Sequence, residues 1–229
     1  MKKLLLVAIV VTTQFFAWAG PEDFEGNITF GIDLEGTGTD ILKAMLPNSY
    51  VYVLKEDQMI FRMEGGMAGG MLGEVMINAN DGHHYVVKHK EQTAYKIDPE
   101  SMKEGKSTPT DAEITALDEY QDIVGYKCRK YKVTVTQDGK KMDQFLWATT
   151  DIKIKGQDDI NPELSGNIFY EGVKGFPLKM ETTIDKMGMS FKMIMTANSV
   201  QKQQIESGIF TLPASYKIEP FDASKMMGF

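Results

Sequence analysis

Methionine is the residue type in this chain that could do chemistry by weight of numbers. There are 16 in 229 residues, and Met59, Met63, Met67 and Met71 recur at every fourth position. A thioether is a soft ligand suited to Cu(I). Met63, Met67 and Met71, with His83 and His89 shortly after them, therefore form a candidate copper set. His84 stands outside it, because alternation along a strand sends it to the face opposite His83 and His89. The intervening Gly65, Gly66, Gly69 and Gly70 disfavour a regular helix, so residues 65–71 read as a loop between two strands. The same side chain has a second use. Unbranched and polarizable, methionine fills irregular apolar space and adapts to varied ligands. Cavity filling is the simpler reading, and a Met/His copper-binding envelope protein is the alternative.

Other chemistry is poorly represented. The chain has no G-x-S-x-G elbow, no H-E-x-x-H helix, no C-x-x-C pair and no phosphate-binding glycine loop. It has three histidines and one cysteine, Cys128, which reads as a small buried hydrophobe. Carboxylates are plentiful, but they fall on the wet positions of strands or in loops. The expectation is a protein that is not an enzyme and needs no cofactor. A formal net charge of −7 without a basic cluster argues against nucleic acid as a partner.

The elements that would position these residues are strands. Ile28, Phe30, Ile32 and Leu34 alternate with Thr29, Gly31, Asp33 and Glu35. Leu178, Met180, Thr182 and Ile184 alternate with Lys179, Glu181, Thr183 and Asp185. Met189, Phe191, Met193, Met195 and Ala197 alternate with a mostly polar set. Period-2 patterns of this kind mark an antiparallel sheet with one buried face. Weaker strands occupy 49–55, 58–64, 73–79, 84–89, 93–98, 126–136 and 142–150. Asp138-Gly139 and Lys186-Met187-Gly188 mark hairpin turns. Residues 99–113 read as a loop. A helix is expected from Thr39 to Leu46, stopped by Pro47, and a second short one near Asn161–Leu164.

The first nineteen residues carry an export signature. Lys2 and Lys3 precede an apolar run from Leu4 to Val11, and Ala17-Trp18-Ala19 fits the small-x-small rule of signal peptidase. The run is shorter than the roughly 20 residues that span a bilayer. No cysteine stands at the cleavage point, so no lipid or membrane anchor is expected. Cleavage after Ala19 would leave 229 − 19 = 210 residues as one domain, 20–229, in the periplasm or secreted. It removes two lysines and no acid, so the charge moves from −7 to −9.

Three stretches resemble a family of exported Gram-negative proteins with an uncharacterised domain. They are the opening Phe24-Glu25-Gly26-Asn27-Ile28-Thr29-Phe30, the pair Gly125–Tyr131 and Phe145–Thr149, and the ending Phe210–Lys217, which looks like the family's closing strand. That family is similar in architecture to the periplasmic lipoprotein carriers, LolA and LolB. The resemblance implies a curved, half-open β-barrel with a greasy concave face. The fold expected is therefore mainly β: a single curved antiparallel sheet with one or two short helices. The function expected is binding or carrying an apolar small molecule or lipid on the concave face. Phe30, Ile32, Met180, Met189, Phe191, Met193 and Met195 are the expected lining. A protein-interaction module with an envelope protein as partner is a further alternative.

Overall fold

The computed structural model describes residues 23–36, 39–66, 73–98, 112–137, 140–156, 168–186 and 189–222. Among them, twelve strands join one large, curved, open sheet with a single α-helix, α1 (Thr39–Met45). Two wings spread from β1 (Gly26–Glu35). The N-terminal wing follows chain order: β2 (Ser49–Lys55), β3 (Gln58–Glu64), β4 (Glu74–Ile77), β5 (His84–Lys88) and β6 (Thr93–Ile97). The C-terminal wing leaves β1 in reverse order. It runs through β11 (Met189–Lys202), β10 (Phe176–Lys186), β9 (Lys140–Thr149) and β8 (Tyr126–Gln137) to β7 (Glu113–Ile123). The outer strand β7 curls back to approach β11, which makes this wing a deep trough.

The mainly β expectation holds, with three differences in detail. Residues 113–123, of which Glu113 ends the expected loop and the rest has no element expected from sequence, form β7. Its outward positions are polar and its pairing with β8 is interrupted between Ala116 and Tyr120, so no clean alternation survives. The segment Phe210–Lys217 is not a closing strand. Ser207–Phe210 is a 3-10 turn, and the last strand, β12 (Lys217–Pro220), follows it. That strand runs parallel to β6, the one parallel pairing among the described residues. The helix expected near Asn161–Leu164 lies outside the described residues.

Apolar burial is organised as two layers. The larger lines the concave side, with Ile28, Phe30, Tyr52, Leu54, Met59, Leu146, Phe176 and Leu178 all buried. The smaller covers the back of the N-terminal wing, where Val53, Ile60, Met76, Tyr85, Val87 and Ala94 meet Ile205 and Phe210. Those last two belong to a strap, residues 203–216, laid across the strands. The strap is held by polar bonds to the sheet. Lys55 Nζ donates to the Ile205 carbonyl at 2.6 Å, and the Ile205 N–H donates to Glu25 Oε1 at 2.6 Å. Asn80 Nδ2 donates to the Ser207 carbonyl at 2.9 Å and to Thr211 Oγ1 at 2.7 Å. Cys128 is buried, and burial first, with Asp122 and Asp151 nearby, pushes its thiol up to about 12. A thiol that stays protonated is a poor nucleophile and metal ligand.

Candidate functional site

Directly opposed residues of antiparallel strands face the same side of a sheet, so the register assembles the concave wall row by row. One row reads Ile32, Met195, Met180, Leu146, Tyr131, Ala116. The next, one step toward the hairpin ends, reads Leu34, Met193, Thr182, Gln144, Val133, Ile114. Beyond it Phe191 opposes Ile184. On the other side of β1, Phe30 opposes Tyr50, which opposes Met63. The expected lining residues Phe30, Ile32, Met180, Phe191, Met193 and Met195 therefore share one face, and neither six-residue row holds a charged side chain. The side chain of Met189 lies outside the described residues.

Sharing a face is not the same as lining an opening. Phe30, Met180 and Met195 are 0%, 3% and 1% exposed, and Phe191 is buried as well. The reason is a plug. The described parts of the connection from β9 to β10 bury Ile152, Ile168, Phe169 and Tyr170 against the wall. The Phe169 ring meets Phe176 at 5.4 Å edge to face, and Phe176 in turn meets Tyr52 at 6.2 Å. The Tyr170 hydroxyl donates to Gln144 Oε1 at 3.0 Å, tying the plug to the second row. Burial pushes that hydroxyl up to about 12, so it remains a neutral donor. Phe30, Met180 and Met195 are thus core, a correction to their expected role. Ile32 and Met193 are part-exposed, as are Thr182, Ile184, Met142 and Ile114 around them. The wall is packed at depth and open at the mouth.

Of the candidate copper set, the two described histidines stand apart. His83 and His89 flank β5 at its two ends, six residue steps apart at about 3.3 Å each, or roughly 20 Å of strand. His83 Nε2 meets Lys96 Nζ at 3.0 Å. Met67 and Met71 lie outside the described residues. Among the described residues, no group of three or more His, Cys, Asp or Glu side chains is placed to hold a metal ion.

Met63 and His89 instead border a cleft of about 510 Å³ that sequence reasoning did not anticipate. Its apolar floor is Ile60 and Val87, with Ile209 of the strap at its side. Register places Arg62 opposite Glu74, and Glu74 opposite Val87. The Arg62 Nε approaches Glu74 Oε2 at 3.1 Å, and His89 Nε2 approaches Glu74 Oε1 at 3.6 Å. His89 Nδ1 lies 2.9 Å from the Tyr216 hydroxyl. His89 thus stands between Glu74 on one ring nitrogen and Tyr216 on the other. Lys88, Lys90 and Glu91 complete the rim. Nothing in the primary structure announces this grouping: His89 and Tyr216, 127 positions apart, are brought together by the strap's return across the sheet.

Comparisons with known proteins add a family and little else. The family model for a domain of unknown function, DUF4412, matches residues 40–216, more than half of the chain. No curated protein matches. A solved structure described as PNGF-II in the C2 space group is similar at 15% identity and a TM-score of 0.49, covering 88% of this chain and 32% of that one. The chain thus spans about a third of that protein's length.

Proposed function

We propose that this chain, which belongs to the DUF4412 family of domains of unknown function, binds a single apolar chain, an acyl chain or lipid tail, at the mouth of its trough. The observation that carries the reading is the gradient of burial along an uncharged wall. Fully buried Leu146 and Val133 give way to part-exposed Ile32, Met193, Ile184, Met142 and Ile114 without an intervening charge. Covering about 200 Å² of such wall contributes roughly 5 kcal/mol before the costs of association. Methionine at the contact suits a ligand of variable shape, because its side chain adjusts without strain. The uncharged polar groups at the same end, Thr182 and the Tyr50 hydroxyl, could meet a headgroup. Burial raises the Tyr50 hydroxyl, which keeps it a neutral donor. The role is binding or carriage rather than catalysis.

The protein would act outside the cytoplasm, in the periplasm or secreted, after cleavage behind Ala19. Lys2, Lys3, the apolar run and Ala17-Trp18-Ala19 support this. Among the described residues no helix is long and apolar enough to cross a membrane. N-terminal sequencing of exported protein should begin at Gly20; an intact Met1 would contradict the assignment.

Binding is tested with N-phenyl-1-naphthylamine, an uncharged apolar probe whose fluorescence rises on leaving water. Wild type should give a saturable rise. Met193→Asp, which places an unpaired charge on the wall, should weaken binding at least tenfold, and Met193→Leu should preserve it. No rise with wild type overturns the reading. So does unchanged binding by a Met193→Asp variant with the circular dichroism of wild type.

A further inference from the structure

We infer that the cleft behind β3, β4 and β5 is a second binding site, for a small anion carried on an apolar body. The argument is a census of what its lining groups already do. Both acids are engaged within the cleft wall. Glu74 takes Arg62 on one oxygen and His89 on the other. Glu91 takes Lys88 at 3.5 Å, and its second oxygen lies 3.5 Å from the Tyr95 hydroxyl.

The bases are not all consumed. Arg62 meets Glu74 through Nε, an atom buried without an aligned hydrogen bond despite the short approach. Its two outer nitrogens, on a side chain 39% exposed, have no partner among the described residues. Lys90 is exposed and likewise has none there. Every uncommitted polar group of the lining described so far is thus a cationic donor. The lining as a whole, with Arg62, Lys88 and Lys90 against Glu74 and Glu91, carries 3 − 2 = +1, in a chain whose formal net charge is −7. A ligand that fits must supply acceptors and negative charge.

Geometry limits its size and shape. Ile60 and Val87 back the cleft from beneath while fully buried, so the apolar contact it offers is that of Ile209 on the strap, 39% exposed. A fork of two outer guanidinium nitrogens suits a planar or tetrahedral oxyanion better than a point charge would. The cleft volume accommodates a ring-sized body beside the anion. His89, fixed between Tyr216 and Glu74, acts as a positioning residue: it joins the strap to β4 and keeps the two sides of the cleft at one spacing.

The test uses phenyl phosphate, followed by isothermal titration calorimetry on the full exported chain. Wild type should bind it, and raising sodium chloride from 50 to 500 mM should weaken the binding severalfold, since the attraction is screened. Arg62→Gln combined with Lys90→Gln should lower affinity at least tenfold, while Lys90→Arg alone should leave it near wild type. Met193→Asp, on the opposite face, should not change it, which separates this site from the trough. A wild type that binds no phenyl phosphate at millimolar concentration overturns the inference. So does a double variant of unchanged melting temperature that binds as well as wild type.

Discussion

The two wings of the sheet solve the same problem in different ways. The C-terminal wing is built from strands of 10 to 14 residues with one apolar face, and its other face is a ladder of charge over aromatic rings. There Lys192 and Lys179 share Glu181 at 2.6 and 2.8 Å, and Lys179 and Lys130 lie over the Trp147 ring at 4.4 and 5.2 Å. Beyond β1, the N-terminal wing is built from strands of four to seven residues that are apolar on both faces. Short strands offer little width, so a second layer is added behind them, and the strap with Phe210 provides it. The difference teaches where binding can happen. The wing sealed on both faces is structural at its centre and leaves a cleft where β3, β4 and β5 end. The wing with one wet face keeps the trough.

The largest effect should come from breaking the seal. Phe210 is fully buried in the second layer and contacts residues more than a hundred positions away. Phe210→Ala should cost about 3–5 kcal/mol in denaturant unfolding, the usual range for emptying a buried aromatic site. A loss under 1 kcal/mol would mean the strap is an ornament and the N-terminal wing needs no backing.

The charge ladder of the other wing should matter much less. Burial tends to raise the Glu181 carboxyl, but hydrogen bonds and charge from Lys179 and Lys192 outweigh it and hold the group below its ordinary value. A carboxyl so depressed stabilises the fold at neutral pH, and the contribution disappears as pH falls through its folded-state titration. Glu181→Gln should therefore cost under ~1 kcal/mol at pH 7, given the partial exposure of the ladder. The gap between variant and wild type should narrow once the pH drops below 4.5, the carboxyl's ordinary value. A gap that widens on acidification would contradict this account of the outer face.

The same contrast explains how much could be read from the primary structure. Alternation was plain in β10 and β11 because one of their faces is wet, and the register confirms that Met180, Met193 and Met195 share a side with Ile32. In β2 and β5 the runs Val51-Tyr52-Val53-Leu54 and Tyr85-Val86-Val87 carry no period, since both faces are covered. Strand β7 was lost for the opposite reason, having too few apolar positions and a register break. The plug was invisible because its residues, Ile168-Phe169-Tyr170, form no strand or helix, and without it Phe30, Met180 and Met195 looked like open wall. The cleft of Arg62, Glu74, His89 and Tyr216 was equally hidden. Its parts come from three strand ends and a strap that share no local pattern.

The central claim is that the concave wall opens at one end to an apolar chain while its depth stays sealed. Methionine methyl NMR tests it directly, since methionines stand at both depths and on both faces: Met142 and Met193 at the mouth, Met59 fully buried in the concave-side core of the other wing, Met76 behind the sheet. With each signal assigned by a single Met→Leu substitution, N-phenyl-1-naphthylamine is titrated into the protein. The account predicts that the Met142 and Met193 methyls shift in a saturable way while Met59 and Met76 hold still. Stationary mouth methyls, or shifts confined to Met76, would contradict it.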